Sequence, residues 1–110
     1  MGKKKHGLVE VVGMKGCGHC RRESEEVKRL KAEGYNVKMT YLDDINPKNL
    51  SDSERKRYEK MNKSLSGVPG IFFNCDVEGK RDPIGKVEGF RKADDLKKLI
   101  HKVDGKCKKK

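Results

Sequence analysis

Apolar residues along the chain fall into two kinds of pattern, and their alternation predicts an α/β domain. Leu8 to Val12 is apolar except at Glu10, which is typical of a buried strand. Residues 17–33 then repeat small or apolar side chains at helical spacing, and Gly34 is the kind of residue that ends a helix. The residues at that spacing are Cys20, Ser24, Val27 and Leu30.

The middle of the chain predicts a second strand and a second helix. Val37 to Tyr41 alternates apolar and polar residues, as expected of a strand with one polar face, and residues 43–47 break this pattern as a loop would. Ser51 and Glu54 have the spacing of a capping box at the start of a helix. The helix should lie on the surface, because it has many charges and a single apolar stripe formed by Tyr58, Met61 and Leu65.

The last third of the chain predicts two strands and a closing helix. Ile71 to Phe73 is apolar on both faces, and residues 78–80 can turn the chain into a fourth strand near residues 83–88. Pro83 indicates that this strand lies at a sheet edge. The predicted order is β-α-β-α-β-β-α, and the closing helix has an apolar face made of Ala93, Leu96, Leu99, Ile100 and Val103.

The length and the charge pattern fit one domain with a basic tail at each end. A chain of 110 residues has room for a single small core, which we place at residues 7–103, with tails at residues 1–6 and 104–110. The formal charge is +11, but terminal lysines supply seven of these charges and leave a body of about +4. Terminal lysine clusters are usually solvated, so we expect no nucleic-acid partner.

The chain lacks the sequence features of a membrane protein. No apolar stretch approaches the ~20 residues of a membrane span, and the N-terminus lacks the hydrophobic segment of a signal peptide. Four cysteines are too few for a disulfide scaffold. We therefore expect a cytoplasmic monomer without a membrane partner.

The segment Cys17-Gly18-His19-Cys20 carries the candidate chemistry. Two cysteines separated by two residues can form and open a small disulfide ring, and this pair lies between a predicted strand and a predicted helix. The free N–H groups and the dipole of the first helical turn favour the thiolate form of Cys17, which is therefore the candidate nucleophile. Cys20, one turn later, should be more buried and act as the resolving thiol.

The order of elements, this tetrad, and Val68-Pro69 just before the third strand together resemble the thioredoxin superfamily over Gly7 to Val103. The resemblance implies a thioredoxin fold, with a four-stranded mixed sheet flanked by helices. It also implies a thiol–disulfide oxidoreductase that exchanges a Cys17–Cys20 dithiol or disulfide with protein disulfides. The tetrad is typical of protein disulfide isomerase domains, whereas residues 20–22 and 68–74 are more similar to glutaredoxins.

The resemblance also implies roles for the neighbours of the two cysteines. His19 could donate to the Cys17 thiolate and make the pair a better oxidant than a Cys-Gly-Pro-Cys pair; the alternative is an exposed loop histidine without effect. The Val68–Pro69 peptide bond is cis in the resembling family, where the backbone at Val68 pairs with an extended substrate. An ordinary trans proline in a turn is the alternative.

Two positions depart from the pattern of thioredoxins and disulfide isomerases. Gly16 stands where those proteins have tryptophan, and Val11 stands where they have a buried acid. Glu10 should face the opposite side of the strand, so Lys15, His19 or water would have to handle the proton.

Recycling of the cysteine pair could use a reductase or glutathione. Glutaredoxins hold glutathione with a lysine near the first cysteine, the backbone before the cis-proline, and an aspartate after a glycine turn. These positions resemble Lys15, Val68, and Gly89 with Asp94 or Asp95 in this chain. The alternative for Lys15 and Asp94 is that they are ordinary surface charges. We expect no bound cofactor, and glutathione enters only as a candidate reductant.

Two other classes of protein stay open as alternatives. A structural zinc module is disfavoured, because His6, His101, Cys75 and Cys107 are scattered rather than paired, and we predict no metal site. We expect Cys75 to be a partly buried structural thiol and Cys107 to lie in a tail without a fixed position. A thioredoxin-fold binding module without turnover is the other alternative.

Overall fold

The order of elements is the predicted β-α-β-α-β-β-α. The computed structural model describes residues 6–79 and 83–108. Its strands are β1 (Val9–Gly13), β2 (Val37–Tyr41), β3 (Gly70–Phe73) and β4 (Gly85–Glu88), and its helices are α1 (Gly18–Ala32), α2 (Asp52–Ser64) and α3 (Ala93–Lys108). Two short 3-10 helices, Leu42–Asp44 and Pro47–Asn49, lie between β2 and α2.

The four strands form one mixed sheet in the order β2-β1-β3-β4. β1 pairs in parallel with β2 and antiparallel with β3, and β3 pairs antiparallel with β4. β4 lies at the edge, as Pro83 led us to expect, although the strand itself begins only at Gly85. The sheet places the carboxyl ends of β1 and β2 together, so the loop after β1 and the loop after β2 meet at one edge.

The larger core lies on the face of the sheet that α1 and α3 cover. Val11 of β1 and Ile71 of β3 contribute to it from the sheet, while Leu30 of α1 and Leu96 of α3 contribute from the helices. α1 differs from the prediction in one respect: Glu23 is fully buried, whereas Ser24 is only half-buried. The buried stripe of α1 therefore comprises Cys20, Glu23, Val27 and Leu30.

The smaller core lies on the opposite face, beneath α2. Ser51 and Glu54 form the predicted capping box of this helix. The predicted stripe is also present, because buried Met61 packs with Val12 and Phe72, and the partly buried Tyr58 and Leu65 lie against them. The polar face of β2 is only partly covered here: Lys38 is exposed, whereas Thr40 is buried and donates a hydrogen bond to Glu10 at 3.3 Å.

Both ends of the described chain differ from the predicted tails. His6 is buried, and its Nε2 accepts a hydrogen bond from the backbone N–H of Asn36 at 3.0 Å. α3 continues to Lys108, past the boundary that we predicted at residue 104. The rest of the predicted tails, residues 1–5 and 109–110, lies outside the described residues.

The prediction that Cys107 has no fixed position is wrong. Cys107, in the last turn of α3, forms a disulfide with Cys75, two residues after the end of β3. The two Cα atoms are 5.5 Å apart, and the disulfide fastens the end of α3 to the sheet. In the parts of the chain that the structure describes, no helix is long and apolar enough to cross a membrane.

Candidate functional site

Cys17 lies in the loop between β1 and α1, as the N-cap residue of α1. Its backbone is extended, and its Sγ accepts a hydrogen bond from the backbone N–H of Cys20 at 3.2 Å. Its own N–H donates to the carbonyl of Met14 at 3.1 Å, which closes a tight turn before the helix. The thiol is free and half-buried. The Cys17 sulfur therefore lies at the N-terminus of α1, close to the positive end of the helix dipole.

Cys20 is a free thiol with no exposed surface, one turn into α1. The end of β1 makes room for it: a Cβ atom on Gly13 would lie only 2.8 Å from Cys20 Sγ. Burial, followed by the hydrogen bond with Cys17, raises the pKa of the Cys20 thiol to about 11. The two thiols therefore differ: the Cys17 thiol is half-buried at the end of the helix, whereas the Cys20 thiol is enclosed and has a raised pKa.

Val68 and Pro69 lie next to Cys17, and the peptide bond between them is cis. The Cys17 thiol points at the carbonyl oxygen of Val68, with 3.9 Å between sulfur and oxygen. Val68 is half-buried and Pro69 is buried. The Gly89 N–H donates to the Pro69 carbonyl at 2.9 Å, so the end of β4 supports the loop from behind.

The loop of residues 66–69 is also attached to β4 through Ser66. Its backbone N–H and its hydroxyl each donate to one carboxylate oxygen of Glu88, both at 2.8 Å. These two contacts and the Gly89 contact attach residues 66–69 to β4, the edge strand. The backbone beside Cys17 is therefore held in place without contributing to the sheet itself.

Lys15 and His19 are both close to the cysteines in sequence but differ in their contacts. The Lys15 ammonium lies 2.7 Å from the carboxylate of Asp44, and its backbone N–H donates to Asp43. The hydrogen bond with Asp44 raises the pKa of Lys15 above its ordinary value. His19 is exposed in the first turn of α1. The roles predicted for these two residues stay predictions.

The strand that precedes the cysteines carries its acid on the far side of the sheet. Val11 is buried in the core beneath α1 and α3. Glu10 is fully buried on the α2 side, where one oxygen lies 2.7 Å from Nη2 of Arg57. The atoms are close but not aligned as a directed hydrogen bond, so charge holds this pair. Glu10 is therefore separated from the cysteines by the sheet.

Glu23 is a residue of this region that the sequence did not lead us to single out. It lies one turn after Cys20, is fully buried, and accepts the backbone N–H of Arg91 at 2.8 Å. Burial raises the pKa of its carboxyl to about 7, against the opposing effect of the Arg91 N–H. The only sequence signal was its spacing, since positions 20, 23, 27 and 30 continue one helical stripe.

Of the residues that resemble a glutathione site, Gly89 lies beside Pro69, whereas Asp94 and Asp95 lie on the surface. Gly89 has a positive φ of 90° and packs behind Pro69, as described above. Asp94 is exposed, 3.8 Å from the ammonium of Lys97, and Asp95 is exposed as well. Within residues 6–79 and 83–108, no three His, Cys, Asp or Glu side chains are grouped so that they could hold a metal ion.

Comparison with models of known protein families gives no match, and comparison with curated proteins gives none either. Solved structures do match. Thioredoxin from Aeropyrum pernix superposes with a TM-score of 0.64 at 17% identity, over 89% of this chain and 76% of that one. Chloroplastic thioredoxin z superposes with a TM-score of 0.63 at 20% identity, over 89% of this chain and 78% of that one.

A mutant thioredoxin from Halobacterium salinarum NRC-1 gives a TM-score of 0.62 at 19% identity, over 86% of this chain and 72% of that one. This chain therefore has the thioredoxin fold, and the predicted fold class is confirmed. Within that fold it carries a free Cys-x-x-Cys pair at the start of α1.

Proposed function

We propose that this protein is a thiol–disulfide oxidoreductase that exchanges its Cys17–Cys20 pair with protein disulfides. The observation that carries the proposal is the pairing of a half-buried thiol at the N-cap of α1 with an enclosed second thiol three residues later. The backbone of Val68, whose carbonyl oxygen lies 3.9 Å from Cys17 Sγ, offers an extended substrate a place to pair beside the nucleophile.

The proposed exchange has two steps. The Cys17 thiolate attacks one sulfur of a substrate disulfide and forms a mixed disulfide, and the other substrate sulfur leaves as a thiolate. Cys20 then loses its proton and attacks Cys17 Sγ, which forms the Cys17–Cys20 disulfide and releases the second substrate sulfur. The reverse sequence oxidises a substrate dithiol, and the reduction potential of the pair decides which direction prevails.

Reduction of insulin by dithiothreitol tests the activity. The wild-type protein should accelerate the precipitation of the insulin B chain, and Cys17→Ser should abolish this acceleration. Cys75→Ser combined with Cys107→Ser serves as the control, since it removes the two cysteines away from the site without leaving either unpaired, and the rate should stay close to that of wild type. No acceleration by the wild-type protein under any reductant would instead support a binding module.

We further propose that His19 makes the pair more oxidising. Its exposed imidazole in the first turn of α1 can stabilise the thiolate form of the reduced protein. Replacing His19 with proline and equilibrating the dithiol against glutathione measures the effect. The substitution should make the potential more reducing, and an unchanged potential would leave His19 without a role.

Glutathione-dependent recycling is the second candidate. The placement of Gly89 behind Pro69 favours it, whereas Lys15 and Asp94 are engaged with Asp44 and Lys97. Turnover of a mixed disulfide of glutathione, coupled to glutathione reductase and NADPH, would distinguish this activity from recycling by thioredoxin reductase.

The Cys75–Cys107 disulfide bears on the compartment in which the protein works. From the sequence we expected the cytoplasm, whereas disulfides are more typical of oxidising compartments. Alkylation of the protein in freshly lysed source cells, followed by mass analysis, would report whether Cys75 and Cys107 are oxidised there.

A further inference from the structure

Glu23 has a buried carboxylate oxygen that no described residue satisfies. The side chain has no exposed surface. Its Oε1 accepts the Arg91 N–H at 2.8 Å, whereas its Oε2 has no hydrogen-bond partner within the described chain. Leaving a buried polar atom unpaired costs stability, so such an atom calls for an explanation in function or structure.

Cys20 lies one turn before Glu23 on the same buried stripe of α1. Residues three apart on a helix have Cβ atoms about 5–6 Å apart, and both side chains point into the same buried layer. Negative charge on Glu23 contributes to the raised pKa of Cys20. The other charged groups that act on Glu23 are Glu26 on α1 and Arg91 in the segment before α3.

The exchange reaction needs a proton acceptor at this place. With a pKa of about 11, the Cys20 thiol is almost fully protonated at neutral pH and must lose its proton in order to attack. Lys15 is bound to Asp44, His19 is exposed, and Glu10 lies across the sheet. A carboxyl that titrates near pH 7, as Glu23 does, is well matched to taking up a proton at that pH.

We propose that Glu23 accepts the proton of Cys20, directly or through one water molecule, when Cys20 resolves the mixed disulfide. This inference rests on the proposed function. The S–H bond of Cys20 breaks, the Cys17–Cys20 bond forms, and the bond from Cys17 to the substrate sulfur breaks. The electron pair leaves on the substrate sulfur, which is protonated from solvent, and Glu23 passes the Cys20 proton to solvent. In the reverse direction Glu23 returns a proton to Cys20.

Stopped-flow reaction of the reduced protein with DTNB separates the two steps. Attack by Cys17 releases the first thionitrobenzoate, and attack by Cys20 on the mixed disulfide releases the second. Glu23→Gln keeps an acceptor for the Arg91 N–H, so it should leave the first phase unchanged. The second phase should slow by about 10²-fold at pH 7, as expected for loss of a general base, and should no longer rise near that pH. Glu23→Asp, which keeps a carboxylate, should recover part of the rate.

Glu26→Gln is the matched control, because Glu26 also lies on α1 and accepts a backbone N–H, that of Ala93 at 2.9 Å. Equal slowing in both variants would mean that the carboxyls only position α3, and would overturn the proposal. So would a second phase in Glu23→Gln with the wild-type rate and pH profile. Absence of the first phase in the wild-type protein would overturn the proposed function itself.

The pH profile of the second phase in the wild-type protein gives a test that requires no variant. A rise centred near pH 7, followed by a second rise at higher pH as Cys20 itself ionises, supports the proposal. A single rise that follows the ionisation of Cys20 alone would overturn it, even if Glu23→Gln fails to fold.

Discussion

At the scale of single residues, the two buried carboxyl groups, those of Glu10 and Glu23, differ in the partners that surround them. Glu10 has a guanidinium partner and a hydroxyl donor, whereas Glu23 has one backbone N–H and an unpaired oxygen. Burial raises the pKa of the incompletely paired Glu23 carboxyl to about 7. Two variants at these positions should therefore affect stability in different ways.

Glu23 should make stability depend on pH. Its folded pKa of about 7 lies above the ordinary value of 4.5, so the folded state binds more protons between these pH values than the unfolded state. The free energy of unfolding should therefore fall as the pH rises from about 4.5 to 7, and then become level. Urea denaturation across this range should detect the fall in wild type and a smaller one in Glu23→Gln. Identical curves would refute the raised pKa.

Arg57 should be important for stability, because it neutralises Glu10 inside the fold. Arg57→Ala leaves a buried carboxylate without its counter-charge, at a cost of about 3–5 kcal/mol in the free energy of unfolding. Adding Glu10→Gln, which removes the charge and keeps an acceptor for Thr40, should recover part of that loss. Arg55→Ala is the control, since Arg55 pairs with an exposed Asp52 and should matter little. Equal effects of the two arginine variants would contradict this account.

The cysteine pair and its loop could be found from sequence, but the buried acid could not. Cys17, Cys20 and Val68-Pro69 are marked by residue type and by their places at element boundaries. Glu23 is one of many charged residues on a charged helix, and its burial depends on how far α1 is rotated against α3. That rotation is set by packing between distant segments, which a single sequence does not encode locally.

At the scale of elements, the strands and helices were predictable because their patterns are local. The alternation in β2, the capping box of α2 and the apolar face of α3 each lie within one segment. The end of α3 was missed because Cys107 lies among lysines, which suggested a solvated tail. Its partner Cys75 is 32 residues away, and spacing alone does not reveal such a pairing.

The Cys75–Cys107 disulfide should stabilise the fold by closing a loop across β4 and α3. With a separation of 32 residues, the loss of chain entropy in the unfolded state corresponds to about 3–4 kcal/mol. Cys107→Ser should lower the free energy of unfolding by about this amount. The measurement is best made in a Cys17→Ser, Cys20→Ser background, so that no other disulfide forms. A reductant should then make both proteins equally stable, and equal stability without reductant would contradict the prediction.

At the scale of the whole molecule, the positive charge should influence which disulfides react fastest. The chain carries a formal charge of +11, and Arg21 and Arg22 are exposed in the first turns of α1, next to Cys17. Electrostatic attraction raises association rates, and salt reduces the effect because the Debye length is about 10 Å at 0.1 M.

Two peptide disulfides that differ only in flanking glutamates or lysines test this influence. The acidic peptide should react roughly tenfold faster with Cys17 at low salt, and the difference should shrink as salt is added. Arg21→Gln with Arg22→Gln should reduce the preference. Equal rates for the two peptides, or rates that do not respond to salt, would show that the charge does not steer substrates.

The central claim is that Cys17 is the nucleophile and Cys20 the resolving thiol. The covalent adduct that each variant forms with a peptide disulfide tests this claim most directly. Mass spectrometry should find that Cys20→Ser accumulates one stable mixed disulfide at Cys17, because the accessible thiol reacts and nothing resolves it. Cys17→Ser should form almost no adduct, since Cys20 is buried and protonated. An adduct on Cys20 in Cys17→Ser that forms as fast as the one on Cys17 in Cys20→Ser would contradict the account.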